Sequence, residues 1–275
     1  MGVLDGKVAI VTGSGRGIGL ATATLLSEQG ATIVVNDLDA DVAREAADGI
    51  AGETSVVAGD LTKPGVPDRL VEETIAAHGR IDMLVNNAGY TLDAPLHKLT
   101  DDAFQRMLDI HTVAPFRLIR AAAPHLREPA KQERAEGVEV FRKIVNVSSI
   151  SGTFGNAGQA NYAAGKAAIV GLTRTLAKEW GQFKVNVNAV AFGWIETRLT
   201  ALAGDDNVAE IDGQQVRLGM PESARELAAL GVPLGRAGTP EEAAGGVFFL
   251  CSPWSDYVHG QTLHVTGGAT GGMTG

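Results

Sequence analysis

Tyr162 and Lys166 stand four residues apart in the run Asn161-Tyr162-Ala163-Ala164-Gly165-Lys166. That spacing places both side chains on one face of a helix. An ammonium beside a phenol favours the phenolate, so the pair predicts a tyrosine pKa below its free value of about 10. A tyrosine tuned in this way can exchange a proton with an alcohol oxygen near neutral pH. Ser149 lies just beyond the apolar run 143–147, and its hydroxyl both donates and accepts. The Gly-rich stretch between Ser149 and Tyr162 reads as a loop that turns the serine back towards the tyrosine. Together the three groups suit proton transfer at a carbonyl or alcohol oxygen. Taken alone, the tyrosine–lysine pair also fits a surface tyrosine packed along a lysine stem.

The segments ahead of this stretch alternate between strand and helix patterns. Residues 7–11 form a β-branched apolar run, the pattern of a buried parallel strand. It leads into Thr12-Gly13-Ser14-Gly15-Arg16-Gly17-Ile18-Gly19, and a helical pattern follows from Leu20 to Gln29. Glycines between a strand and a helix allow backbone N–H groups to approach a pyrophosphate at the helix N-terminus. The next strand, 32–36, ends at Asp37, 18 residues past Gly19, a spacing suited to an acid that binds an adenosine ribose diol. The same aspartate could instead cap the helix that begins near Asp39. Residues 55–58 form a third strand, and Asp60 follows at its carboxyl edge, as a cap or beside an adenine. The fourth strand, 81–85, runs into Asn86-Asn87-Ala88-Gly89, where Gly89 permits close approach of a cofactor.

Asp101 to about Arg127 reads as one long helix, bent or interrupted at Pro115 and Pro124, with His111 inside it. Glu128 to Gly137 is highly charged and reads as an exposed, solvated insertion or a partner contact. A sixth strand at 184–190 follows the Tyr162 helix. Residues 198–238 are polar, Gly-rich and weakly periodic, the pattern of an irregular substrate lid. Thr239 and Pro240 open another helix. The last strand is 262–265, followed by a Gly-rich tail. His264 alternates with apolar neighbours and reads as structural. The whole chain, residues 1–275, reads as one α/β domain. Its net charge of −9 argues against a general nucleic-acid or anionic-membrane surface. The single cysteine, Cys251, reads as packing. No metal-ligand spacing, membrane-length apolar run or signal-peptide pattern is present, so a soluble, cytoplasmic protein is expected.

Over essentially its whole length the chain resembles the short-chain dehydrogenase/reductase family. Residues 12–19 resemble its glycine loop and residues 86–89 its Asn-Asn-Ala-Gly motif. Ser149, 13 positions before Tyr162, matches its serine, and Tyr162 with Lys166 its active-site pair. The run 155–162 further resembles the 3-oxoacyl-thioester reductase branch, close to 3-hydroxyacyl-CoA dehydrogenases. The resemblance implies a doubly wound Rossmann fold with a seven-stranded parallel sheet, assembled as a homotetramer through two long helices. It implies hydride transfer between a nicotinamide and a secondary alcohol or ketone. Tyr162 would act as the acid, Lys166 as its tuner and ribose ligand, and Ser149 as the orienter of the substrate oxygen. The cofactor would lie along Gly13, Ser14, Arg16, Gly17, Ile18, Gly19, Asp37, Asp60, Leu61, Asn87, Ala88, Gly89, Tyr162, Lys166, Ile195 and Thr197. Asp37 makes NAD the expected cofactor rather than NADP.

Two departures stand out. The family's Pro-Gly is replaced by Phe192-Gly193, and its active-site asparagine aligns with His111. A neutral imidazole has one donor and one acceptor and can replace an amide in a water relay. An imidazole also titrates near pH 6.5, which an amide does not. The bland alternative is that His111 only packs. The leading expectation is an NAD-dependent oxidoreductase for a 3-hydroxyacyl or 3-oxoacyl thioester. A dehydrogenase of a sugar, polyol or steroid is the alternative, and a non-catalytic dinucleotide sensor a more distant one.

Overall fold

A computed structural model describes residues 2–202, 208–211, 214–217 and 219–269. The first half alternates strand and helix as the apolar pattern predicts: β1 Val8–Thr12, α1 Gly17–Glu28, β2 Thr32–Asn36, α2 Ala40–Gly49, β3 Thr54–Val56, α3 Val66–His78 and β4 Met83–Asn86. Then come α4 Asp101–Leu108, α5 Ala114–Ala135, β5 Arg142–Ser149, α6 Ile150–Phe154, α7 Ala160–Trp180 and β6 Val185–Phe192. A hairpin of β7 Val208–Ile211 and β8 Gln214–Arg217 precedes α8 Glu222–Leu230, α9 Pro240–Cys251 and β9 Thr262–Val265.

Seven strands pair in the order β3-β2-β1-β4-β5-β6-β9, every pair parallel. Successive side chains of a strand point to opposite faces, and both faces here are apolar. Val11, Val35, Val85, Val145 and Val190 face α1, α2 and α9. Ile10, Val34, Leu84, Ile144 and Val187 face α3, α5 and α7. The sheet is therefore buried on both sides, which explains its continuous β-branched runs. The chain lays β2 and β3 to one side of β1 and returns to lay β4 to the other. At such a reversal the loops leaving the strand ends diverge and open a crevice. The glycine loop leaves β1 there and residues 87–89 leave β4. Among the described residues no helix is long and apolar enough to cross a membrane.

Four expectations are corrected. The helix expected from 101 to 127 is divided by a π-helical turn, Asp109–Val113. Pro115 has no N–H for the His111 carbonyl, which removes one helical hydrogen bond where the turn forms. Beyond it, α5 continues through Pro124 and Pro129 to Ala135. The charged stretch 128–135 is thus the solvated end of a helix, with Glu128 paired to Lys131 and Glu133 bidentate on Arg142. The loop after Ser149 contains the short helix α6, and the expected irregular lid contains α8 and the hairpin. Finally, the Gly-rich tail beyond residue 269 lies outside the described residues, so its reading stays an expectation.

Candidate active site

The glycine loop carries the marks of a phosphate cradle. Gly13 has φ +61°, and a Cβ there would lie 2.8 Å from Ala88 Cα. A Cβ on Gly19 would lie 2.1 Å from Gly13 O and 2.5 Å from Asn87 Nδ2. Only glycine permits this closeness, and it leaves the first turn of α1 open to an anion. Arg16 N-caps α1 in extended backbone with no side-chain cap bond. Asn87 Nδ2 donates to Thr12 O (2.9 Å) and Gly13 O (3.1 Å), and Thr12 Oγ1 accepts from the N–H groups of Asn87 and Ala88. The ends of β1 and β4 are thereby locked side by side. Asp37 Oδ2 accepts from Gly15 N at 3.0 Å, so the acid is held against the loop rather than capping α2. Asp39 is the helix cap, accepting from Asp41 N and Val42 N.

These residues line one cavity of about 1220 Å³. That exceeds the roughly 300–1,000 Å³ of a typical small-ligand pocket, and leaves room for an elongated cofactor with a substrate. Gly13, Arg16, Gly17, Ile18, Gly19, Asp37, Asp60, Leu61, Asn87, Ala88, Gly89, Ile195 and Thr197 all contribute to its wall. Ser14 does not. Its hydroxyl turns inward, donates to Val11 O (2.7 Å) and accepts from Asn36 N (3.2 Å). Ser14 therefore ties the loop to β2, and its expected role as a cofactor ligand does not extend to its side chain. Asp60 lines the cavity while its carboxylate also closes a turn on Thr62 N and Oγ1. The cradle, the free first turn of α1 and the acid beside it fit a nicotinamide dinucleotide.

The reacting groups meet on another stretch of the same wall. Ser149 ends β5 and caps α6, its Oγ accepting from Ser151 N at 3.1 Å. Tyr162 lies in the first turn of α7, and Lys166 one turn on. Gly152 brings α6 onto α7: a Cβ there would lie 2.6 Å from the Lys166 carbonyl carbon. Ser148 Oγ donates to Lys166 O at 2.8 Å, fixing the two segments. Lys166 is buried and donates its Nζ to Val147 O at 2.7 Å, with Nζ 5.6 Å from the Tyr162 ring centre.

The expected lowering of the tyrosine pKa is not what this arrangement gives. Loss of solvent pushes the phenol up to about 12; a hydrogen bond with Ser149 holds the rise back and the nearby Asp93 charge adds to it. Loss of solvent also pushes Lys166 down to about 7. For both groups desolvation of the charged form is the largest cause.

His111 sits in the π-helical turn and is buried. Its Nε2 donates to Tyr90 O at 2.8 Å, while its Nδ1 is buried without a hydrogen-bond partner. That bond fixes the tautomer with Nδ1 as acceptor. The ring meets Tyr162 edge-on, with centres 5.0 Å apart. Burial, and then the Lys166 charge, hold its pKa well below 6.5. The expected titration near pH 6.5 is therefore corrected: His111 offers a fixed neutral donor and acceptor. Gly165 permits this close packing, since a Cβ there would lie 3.1 Å from His111 Cβ.

Sequence reasoning missed Tyr90, Thr91, Asp93, Ser151, Asn156 and Gln159, all of which line the cavity. It also missed the wall built by Trp194, Met220, Leu227 and Ala228. The position of Gln159, three residues before Tyr162 in a turn at the serine's side, was a signal available in the sequence. Cys251 is buried behind the sheet, as expected for packing. Among the described residues no cluster of three or more His, Cys, Asp or Glu side chains could hold a metal ion.

Comparison with known proteins agrees with this geometry. A family model described as enoyl-(acyl carrier protein) reductase matches residues 13–270. The chain is 37 % identical to a 3-oxoacyl-[acyl-carrier-protein] reductase of Thermotoga maritima, covering 96 % of this chain and 98 % of that one. It is 37 % identical to the Vibrio cholerae reductase of the same name, again over 96 % and 98 % of the two chains. A reductase so named from Synechocystis is 36 % identical over 98 % of each chain.

Proposed function

The chain belongs to the short-chain dehydrogenase/reductase family, and from that premise we propose that it reduces a 3-oxoacyl thioester to the 3-hydroxyacyl thioester with NADH. That it is an oxidoreductase follows from the family. The substrate and the choice of NAD go beyond what the family shows. What supports it is the convergence of Ser149, Tyr162 and Lys166 on the cavity that also holds the glycine cradle, in a chain similar to named 3-oxoacyl reductases.

When bound, the nicotinamide supplies the hydride. The rest is the work of the chain's own side chains. Gly13, Arg16, Gly17, Ile18 and Gly19 would hold the phosphates, Asp37 the adenosine ribose, and Asn87 to Gly89 with Ile195 and Thr197 the nicotinamide half. Ser149 donates to the substrate carbonyl oxygen and fixes its direction. Tyr162, a phenol with its pKa near 12, is protonated throughout the neutral range and ready to donate to that oxygen as charge develops there. Lys166 stabilises the tyrosinate that results and holds the nicotinamide ribose. His111 Nδ1 is the buried acceptor for a water that returns the proton. Turnover of 3-oxoacyl thioesters with NADH, in a panel that includes sugars and steroid ketones, tests the reading. Turnover confined to a sugar or steroid would replace it with the secondary-alcohol alternative.

Two expected results arise here. Asp37 is placed for the two ribose hydroxyls of NAD, and its charge opposes the 2′-phosphate of NADP. Arg16 offsets this in part. NADH should give the higher kcat/KM, and Asp37→Ala should narrow the gap. Equal or better efficiency with NADPH in the wild type would refute the assignment.

For His111, an amide can supply the same acceptor and a leucine cannot. His111→Asn should keep substantial activity and His111→Leu lose about 10²-fold, in the range of a lost proton-transfer contact. Because burial holds the imidazole neutral, the wild-type profile should show no limb near pH 6.5 that disappears in His111→Asn. Wild-type rates in His111→Leu would reduce His111 to packing. Assembly as a homotetramer and a cytoplasmic location complete the reading, the first open to measurement by sedimentation.

A further inference from the structure

Asp93 is a carboxylate in the reaction cavity that neither gives nor takes a proton in the transfer above, although its charge helps to keep the Tyr162 phenol protonated. It lies in a segment without regular structure that is nevertheless fixed at every turn. His111 Nε2 donates to Tyr90 O at 2.8 Å, Asn161 Nδ2 to Leu92 O at 2.9 Å, and Ala94 N to Gly158 O at 2.9 Å. The carboxylate itself accepts from Gln159 Nε2 at 2.8 Å. Gln159 Oε1 in turn accepts from Ser151 Oγ at 2.8 Å and Asn156 Nδ2 at 3.0 Å. The amide oxygen is thereby fully used, and the NH₂ end is turned to Asp93. A carboxylate has about four lone-pair sites, and Gln159 and Thr91 occupy two. Asp93 is otherwise exposed, so it presents a fixed, charged, acceptor-only group to whatever enters.

The walls of the cavity differ in chemistry. Tyr90, Thr91, Asp93, Ser151, Asn156 and Gln159 supply a polar lining of hydroxyls, amides and a carboxylate. The other part is largely apolar, with Trp194, Met220, Pro221, Leu227 and Ala228. A 3-oxoacyl thioester is asymmetric in the same sense. One side of its reacting carbon is a hydrocarbon chain. The other is the thioester arm, and the first N–H along that arm belongs to the cysteamine amide. Coenzyme A and a carrier protein's pantetheine share this arm. A charged acceptor facing such a donor forms a hydrogen bond stronger than a neutral pair.

We propose that Asp93, oriented by Gln159, accepts a hydrogen bond from the cysteamine amide N–H of the substrate and so selects for pantetheine-type thioesters. The proposal rests on the thioester reading above. Asp93 touches substrate and takes no part in the chemical step, so its effect belongs to specificity.

The test is a pair of substrates that differ by one group. One is the N-acetylcysteamine thioester of 3-oxobutanoate. The other is its S-(2-acetoxyethyl) analogue, in which the amide N–H is replaced by an ester oxygen. Wild type should favour the amide by about tenfold or more in kcat/KM, the range of a hydrogen bond to a charged group. In Asp93→Ala the ratio should fall to within about threefold of unity, because the loss falls on the amide substrate more than on the ester. Asp93→Asn, which can still accept from Gln159, should lose the preference too and carries the test if the alanine variant does not fold. 3-Oxobutanoyl-CoA and 3-oxobutanoyl carrier protein should lose the same factor in either variant. A wild-type ratio near one, a ratio unchanged in the variants, or an equal loss on both small substrates would overturn the proposal, the last leaving Asp93 a structural role. A loss confined to the carrier protein would also overturn it, by placing the contact on that protein. If wild type turned over neither thioester, the substrate reading itself would fail.

Discussion

Tyr162→Phe should bind NADH with near wild-type affinity and lose about 10²–10⁴-fold in kcat, the usual contribution of a positioned proton donor. The substitution removes one hydroxyl and leaves the ring against His111 and the first turn of α7 intact. Loss of solvent pushes the phenol up to about 12, so it stays protonated and in reduction acts as an acid, and nothing else at the site replaces it. Ser149 can orient the oxygen, but an alkoxide left on Ser149 would be a much stronger base than a phenolate. Fluorescence titration with NADH separates binding from turnover. A variant that turned over at near-normal rates would remove Tyr162 from the mechanism.

Lys166→Met should damage both steps. Loss of a charged donor to the ribose predicts about tenfold or greater weakening of NADH binding. Loss of the cation beside the developing tyrosinate predicts a further fall of about 10²-fold in kcat. A change in only one of these would show that Lys166 has a single role. The same variant carries a signature in stability. The folded lysine titrates near pH 7 and its ordinary value is 10.5. Between those values the unfolded chain binds more protons than the folded one, so this site's contribution to stability rises with pH. Below about pH 7 the full cost of burying the ammonium is present. The Tm of Lys166→Met minus that of wild type should therefore be most positive below pH 7 and decline towards pH 10. A difference independent of pH would show that Lys166 is not depressed by burial.

Much of this site is legible in the sequence because the sheet enforces it. The apolar runs at 8–12, 32–36 and 83–86 are β-branched and bounded by glycines and acids, and a parallel sheet buried on both faces leaves few other readings. Once the strands are placed, the glycine loop, Asp37, residues 87–89 and Ser149 must lie at their carboxyl ends. What was hidden is the part fixed by tertiary contact. Asp93 sits in a stretch with no periodicity, and only Gln159, Asn161 and His111, brought from other segments, hold it. Ser14 looks like a loop ligand, yet its hydroxyl is used by Val11 and Asn36. The charge of Glu128 to Gly137 reads as an exposed insertion, yet Glu, Lys, Gln and Arg are good helix formers and pair along a helix surface, and α5 runs on to Ala135. The sign of the Tyr162 shift was also out of reach. The spacing reveals a neighbouring charge, whereas the desolvation that outweighs it depends on how closely α6 and the π-helical turn pack on α7.

The central claim is that this chain moves a hydride from NADH to the third carbon of a 3-oxoacyl thioester. Mass spectrometry of the product formed from 3-oxobutanoyl-CoA and stereospecifically 4-deuterated NADH tests it most directly. The account predicts a 3-hydroxybutanoyl thioester carrying one deuterium at C3 with one of the two cofactor epimers, and none with Tyr162→Phe within the same time. No hydroxy product from the wild type, or a product without deuterium at C3 from either epimer, would contradict it.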